Sequence, residues 1–492
     1  MKNKKMITNA FVYVINNIFI KAFQFFLVPI YTAHLTYEEY GANNVITSFV
    51  SIFTIIATLS ISSAISRLYA EHREDQDKVR RLFGTTYLFT VLFGAVIVGI
   101  LLLSKDVIRT YLLPEIDFFP VVALAIINMW LTSLATQYTS MLQAMQEARE
   151  CALLNVISFT LNLSLNILFV SVLDLKLAGI YYSGIVVNSC LILFSLWRIH
   201  KRKLICWVLD TPLLKDALKY SVPLIPHSLS GSISQYLAKL ILGNSFSLAT
   251  VGIFSLASQF GRIIDTVQGS VHASYLPWFF EVRSSRASDA PKAIHSLLPV
   301  LLDLYGIFFL AFALFSQELV IIMADNSYAS AWILIPLFVC VYAIKTPYYF
   351  YSAFLFYDKT KTRFIFIATL TGNLANVCAA SLLIPRFGAY GSLIADLLST
   401  VILLIIIIFM CKKEHTAYFR FSIFLKNNLK LFVFMAAGLL PGLLLMGTDL
   451  RLVNTAYKIL VWGVFTGIFL IKHKTSIFTT VKKFLHRKEA VK

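Results

Sequence analysis

Apolar runs of 18 or more residues recur from one end of this chain to the other, each long enough to cross the roughly 30 Å of hydrocarbon in a bilayer. Only 14% of the 492 residues are charged and 58% are hydrophobic, too few charges to clothe a soluble protein of this size. Fourteen spans are predicted, near 7–33, 41–68, 83–104, 118–142, 151–172, 178–198, 216–244, 248–272, 294–316, 329–356, 363–384, 389–410, 428–447 and 452–471. The expected fold class is an all-α polytopic membrane protein. Its first run, after MKNKK, continues from about Met6 to Tyr31 with no small-residue cleavage site behind it, and reads as a retained helix.

A net charge of +18 could suggest nucleic acid as partner, but its distribution excludes that reading. Lys and Arg crowd alternate loops, and the opposite loops hold only Lys105, Arg109, Lys176, Arg386 and Arg451. By the positive-inside rule both ends are cytoplasmic. The tail after the last span sets Ile477, Phe478, Val481, Phe484 and Leu485 on one helical face among lysines, as a helix lying on an anionic leaflet would. A partly disordered basic tail fits the same residues. The six cysteines are scattered and imply neither metal nor redox work, so no metal site and no cofactor are expected. Loops are short throughout. That argues against a membrane glycosyltransferase, polymerase or ligase, and the chain is expected not to be an enzyme.

The sequence parallels itself at a near-constant offset. EEYGANNVITS around Gly41 matches LATVGIFSLAS around Gly252, Asn166 matches Asn376, and Gly179 matches Gly391. The expected organisation is an N-lobe over 1–205 (six spans), a C-lobe over 206–411 (six more), two appended spans over 412–471 and a basic amphipathic tail over 472–492. Two parallel repeats with a site between them make an alternating-access architecture.

Polar side chains inside the spans mark where that site lies. Lys21 sits too deep to snorkel, and Tyr13, Asn17, Lys21 and Gln24 form one stripe of the first span. The second span carries Asn44, Ser48, Ser51, Thr54, Thr58, Ser62 and Ser66, ending beside Arg67. The seventh carries Ser228, Ser232, Gln235 and Lys239, and the eighth Ser255, Gln259, Arg262 and Thr266, with Asp265 adjoining. In the tenth, Lys345 is followed by Tyr348, Tyr349, Phe350 and Tyr351, rings that would stack on sugars or form an interfacial belt. Polar faces of this length must meet one another or water. The Ser and Thr positions alone fit ordinary interhelical hydrogen bonds. The cations do not: Lys21, Lys239, Arg262 and Lys345 face only Asp265, Asp303 and Asp396 within the spans. Lys21, Arg262, Lys345 and Lys239 are therefore the candidate ligands for an anionic solute, phosphate above all. Asn17, Gln24, Ser51, Thr58, Gln235 and Gln259 are candidate lining residues. Asp265, Asp303 and Asp396 are candidates for coupling to a proton or sodium gradient. Arg262 and Asp265 could instead neutralise each other, Lys239 could snorkel, and Lys458 could reach the interface. The prolines of SVPLIP are expected to kink the seventh span.

FLVPIYTAHLTYEEYG (26–41), ISSAISRLYAEH (61–72), YSVPLIPHSLSG (220–231), LATVGIFSLASQFGRI (248–263) and LLIPRFGAYGSLIADLLST (382–400) together resemble the polysaccharide-transporter family of the multidrug/oligosaccharidyl-lipid/polysaccharide (MOP) exporter superfamily. The resemblance implies two lobes in a MATE-like V, with spans 1, 2, 7 and 8 lining a central cavity. It implies a flippase of polyprenyl-diphosphate-linked oligosaccharides in a bacterial cytoplasmic membrane, supplying O-antigen or capsule. Its partners would be membrane lipid, the lipid-linked substrate and the polysaccharide polymerase or chain-length machinery. Lys21 and Arg262 match the family's cavity cations. The family often ends the seventh span in Asp-Arg, where this chain has Ala238-Lys239, so any role of that acid is in doubt. A cation-coupled small-molecule exporter on the same fold is the alternative.

Overall fold

The computed structural model describes residues 25–285, 290–358, 362–411, 418–419, 421–444 and 451–473, and every regular element among them is helical. Asn17, Lys21, Gln24 and the basic tail lie outside the described residues. Ten segments among the described residues are long and apolar enough to cross a membrane. The protein is a multi-pass, all-α membrane protein.

Helix α1 runs Val28–His34 and α2 Tyr37–Thr58. A capping box starts α2: the Glu39 amide donates to Thr36 Oγ1 (3.2 Å) and the Thr36 amide to the Glu39 carboxylate (2.9 Å). The predicted second span is not one helix. Leu59 and Ser60 take positive φ, 45° and 52°, and α3 starts afresh over Ser62–His72. Thr58 Oγ1 accepts the Ser60 amide at 3.3 Å, so a hydroxyl replaces the carbonyl that would have continued the helix.

Helix α4, Gln76–Leu103, is capped by Asp75, and the Lys78 amide holds that carboxyl below its ordinary range. Then come α5 (Ala123–Ala144), α6 (Ala148–Asn166) and α7 (Lys176–Arg202). Glu150 locks these three together. It accepts from Arg198 at 2.8 and 2.9 Å, from Arg202 at 3.1 Å and from the Tyr138 hydroxyl at 2.6 Å, while Arg202 also pairs with Glu147. The prolines of SVPLIP divide the seventh span more sharply than a kink: α8 (Thr211–Ser221) and α9 (Ile225–Ser245) are separated by a 3₁₀ turn at Val222–Leu224.

The rest comprises α10 (Leu248–Ser285), α11 (Ala290–Leu314), α12 (Ser316–Met323), α13 (Leu334–Tyr357), α14 (Thr362–Met410), α15 (Phe421–Leu444) and α16 (Arg451–Lys472). Helix α14 is two helices meeting at Gly388, whose φ of 56° and ψ of −133° suit a residue without a Cβ.

The chain packs as two compact units. One holds the residues up to Gln259 with Met323–Tyr328 and Thr369–Ser399; the other holds Phe260–Ile322, Ala329–Ala368 and the residues from Thr400 on. In the first unit, Gly41 and Gly252 are each the fifth residue of their helices, α2 and α10. A Cβ on Gly41 would lie 1.9 Å from the Leu248 carbonyl oxygen, and one on Gly252 2.5 Å from that of Tyr37. The contact is reciprocal: the start of each helix meets the glycine of the other. Small residues permit such backbone-to-backbone approach in membrane helices.

The second unit is centred on aromatic packing. Phe279, Phe354, Tyr351, Phe419 and Phe424 contact one another edge-on or tilted. Phe350 and Tyr351 are 2% and 0% exposed, so these two rings are core rather than belt or sugar platform.

Candidate transport site

Several polar clusters lie among the helices. In the second unit, α10 and α13 are joined by Lys345, whose Nζ lies 2.8 Å from Asp265 Oδ1. The Tyr349 hydroxyl donates to the same oxygen at 2.7 Å. Lys345 also sits over the Tyr342 and Tyr349 rings, 5.6 and 5.7 Å from their centroids. One turn further along α10, Gln268 Nε2 donates to Thr346 Oγ1 (2.8 Å) and to the Tyr342 carbonyl (3.0 Å), fixing the register of the two helices. Arg262 precedes Asp265 by three residues and is exposed. The Lys345 and Asp265 side chains keep 26% and 39% of their surface, so this is an accessible ion pair and not a sealed one.

In the first unit, Lys239 does not snorkel. It is 8% exposed, and its ammonium donates to Ser48 Oγ (2.8 Å) and the Asn44 carbonyl (3.3 Å). Gln259 Oε1 accepts from the Tyr40 hydroxyl at 2.9 Å. The Ser and Thr stripe of α2 is satisfied along its own helix: Ser51 donates to the Ser48 carbonyl, Thr54 to Val50 and Thr58 to Thr54. On α9, Gln235 and Ser228 are exposed. The face of α9 bonded to α14 is a neighbouring one: His227 meets Thr369, Asn373 donates to Ser230, and Ser234 donates to Asn376.

Asn376 and Asn166, paired by the sequence offset, hold matching positions in the hydrogen-bond pattern. Asn376 Oδ1 accepts from Ser234 (2.6 Å) and its Nδ2 donates to Asp396 Oδ1 (2.7 Å). Asn166 Oδ1 accepts from Tyr31 (2.9 Å) and its Nδ2 donates to Ser183 Oγ (2.9 Å). Each amide bridges two neighbouring helices, but of the two only the Asn376 bridge ends on a carboxylate.

Asp303, 2% exposed, is surrounded by Lys472 at 2.7 Å, the His473 ring at 2.8 Å and Lys430 at 3.4 Å. This clamps α11 to α15 and to the end of α16. Lys458 is 1% exposed and pairs with Glu318 at 2.9 and 3.0 Å. Sequence reasoning left out Glu318 because it falls between predicted spans. No group of three or more His, Cys, Asp or Glu side chains among the described residues could hold a metal ion.

Helices of this length, with ion pairs and amides bridged inside the spans, define a polytopic membrane protein. Residues 6–283 match the family described as polysaccharide biosynthesis protein, and the chain belongs to that family. A protein of the Lsg locus of Haemophilus influenzae is 19% identical over 294 residues, 56% of this chain and 66% of that relative, just under two thirds of its length. A second membrane protein of that organism is 22% identical over 72% of this chain and 85% of its own. Among solved structures, an inward-facing multidrug-resistance MATE transporter of the MOP superfamily superposes with a TM-score of 0.67 at 15% identity, covering 80% of this chain and 94% of that one. The lipid II flippase MurJ, in an inward closed conformation, gives 0.67 at 16% identity over 95% and 99%. The fold is that of MOP-superfamily transporters.

Proposed function

We propose that this protein is a flippase that carries polyprenyl-diphosphate-linked oligosaccharide repeat units across a bacterial cytoplasmic membrane for surface polysaccharide synthesis, with both termini cytoplasmic. The observation that carries the reading is the cluster on α10 and α13, where two cations, Arg262 and Lys345, stand against one carboxylate, Asp265, on accessible side chains. An excess of positive charge within spans suits a diphosphate, whose oxygens take charge-assisted hydrogen bonds from guanidinium and ammonium groups. Lys21, in the first span, is proposed as a further anion ligand. Lys239 is likewise a proposed anion ligand. Asn17, Gln24, Ser51, Thr58, Gln235 and Gln259 are the proposed lining. Asp396, bridged by Asn376 to Ser234, is the best-placed acid for coupling to a proton or sodium gradient, because it lies where three helices meet through one amide. Membership of a polysaccharide biosynthesis family and a fold shared with a lipid II flippase over nearly the whole chain support a lipid-linked substrate. No covalent bond changes in this step. The two six-helix lobes alternate, and the lipid tail stays in the bilayer.

The test is made in cells lacking this gene with its neighbouring glycan-synthesis genes intact. A completed lipid-linked repeat unit is expected to accumulate in lipid extracts, read by mass spectrometry, with loss of the surface glycan. Wild type restores the glycan; Arg262→Gln/Lys345→Gln, expressed to the same level, does not. Normal glycan and no accumulated intermediate would sink the flippase reading in favour of a cation-coupled small-molecule exporter on the same fold.

A further inference from the structure

Lys345 is not waiting for a substrate with empty hands. Its ammonium is on Asp265 Oδ1 at 2.8 Å, an oxygen that also takes the Tyr349 hydroxyl at 2.7 Å. A carboxylate holding a cation that is itself sealed in the core is a structural pair, as Glu318, whose own side chain is 24% open, is for the 1% exposed Lys458. Here both side chains stay partly open, and the exposed Arg262 lies one turn away on the helix that carries Asp265. The backbone of that region is held independently, by Gln268 on Thr346 and on the Tyr342 carbonyl. Separating Lys345 from Asp265 therefore need not separate α10 from α13. We propose that Asp265 is a built-in stand-in for the substrate's diphosphate: it occupies Lys345 when the carrier is empty, is displaced when the anion arrives, and reclaims the lysine to expel it.

The chemistry follows from competition. An oxyanion bound to Lys345 must give a better partner than a carboxylate already at hydrogen-bond distance, so the resident acid lowers affinity for every anion. It lowers it least for ligands with several charged oxygens, which engage Arg262 and Lys345 together. Asp265 thus selects a diphosphate over a monoanion, and it keeps binding moderate. A carrier needs that, because a ligand held equally in both states shifts nothing and one held too tightly is not released. The Tyr349 hydroxyl has a part in the exchange, since it offers the displaced carboxylate a partner to retire to.

This inference rests on the flippase reading, and its test separates the two. Farnesyl diphosphate serves as probe, titrated against the purified full-length protein in nanodiscs, with farnesyl monophosphate as the control that carries less charge and fewer phosphoryl oxygens. Asp265→Asn is expected to tighten diphosphate binding about tenfold and to narrow the preference over the monophosphate. Lys345→Gln is expected to weaken it by a similar factor, and Asp265→Asn/Lys345→Gln to bind like Lys345→Gln alone, because the acid acts through that lysine. Asp265→Ser removes the same charge while leaving Tyr349 a hydrogen-bond partner, and stands in if the asparagine variant does not fold. Diphosphate binding that depends on Lys345 but is unchanged or weakened in both folded Asp265 variants would overturn the stand-in and leave the flippase reading in place. No binding by any variant would overturn both.

Discussion

Gly41→Ala is expected to be among the most damaging single substitutions in the chain, and adding Gly252→Ala to it is expected to cost almost nothing more. The Cβ that Gly41→Ala introduces would fall 1.9 Å from the Leu248 carbonyl oxygen and must retreat by about 1.5 Å to reach the ordinary contact distance of 3.4 Å. No rotamer can relieve it, since both partners are backbone. The helices α2 and α10 have to move apart, at a cost near the upper end of the roughly 1–3 kcal/mol seen for overpacking. The Cβ that Gly252→Ala introduces meets the Tyr37 carbonyl at 2.5 Å and needs a smaller retreat along the same separation. Once Gly41→Ala has opened the crossing, the second methyl fits. Apparent melting temperatures of the purified protein should therefore rank wild type, Gly252→Ala, then Gly41→Ala, with the double variant level with Gly41→Ala. Strict additivity would mean the glycines do not share one crossing.

That crossing was half visible in the sequence. The offset that aligns EEYG with ATVG picked out the two glycines as equivalents, but nothing in one dimension says that equivalents touch. The all-helical, multi-pass class was legible because apolar runs of membrane length leave few alternatives. Helix continuity was not: the second span reads as unbroken, yet Leu59 and Ser60 end it where Thr58 takes over an amide, and SVPLIP cuts the seventh in two. Serine and threonine stripes say little by themselves for a related reason. A hydroxyl that bonds the carbonyl three or four residues back looks polar in sequence and is already satisfied in space. Charged residues carried more information, because an ammonium needs more than its own helix can give. Which acid answers which cation was beyond reach, since Asp265 to Lys345 and Asp303 to Lys472 are matched across distant helices. Lys21, Asn17 and Gln24 lie outside the described residues, so their place in the site stands as a proposal.

Glu318→Gln is the other substitution expected to have a large effect, and Lys458→Met on top of it is expected to restore most of the loss. Lys458 is 1% exposed, and its ammonium holds both Glu318 oxygens, at 2.9 and 3.0 Å, with Thr455 donating to the same carboxylate at 2.9 Å. Removing the acid leaves a buried cation without its counter-charge, which costs about 3–5 kcal/mol, whereas replacing the pair by an apolar side chain and a neutral amide is often close to neutral. A double-mutant cycle on apparent melting temperature measures the coupling. Independent, additive losses would mean that Lys458 draws its stabilisation from elsewhere. The same pair bears on how the cations of this protein are counted. Judged by the predicted spans, basic side chains outnumber acids inside the membrane, and the excess alone suggests an anion site. Glu318, from a segment between spans, removes Lys458 from that excess, and Lys430 and Lys472 are committed to Asp303. The glycan phenotype should therefore be insensitive to Glu318→Gln/Lys458→Met at equal expression and sensitive to Arg262→Gln/Lys345→Gln. Transport lost in the former double variant, with the protein folded, would mean that charge neutralised by a buried partner still acts on the substrate, and the anion site would have to be redrawn to include α16.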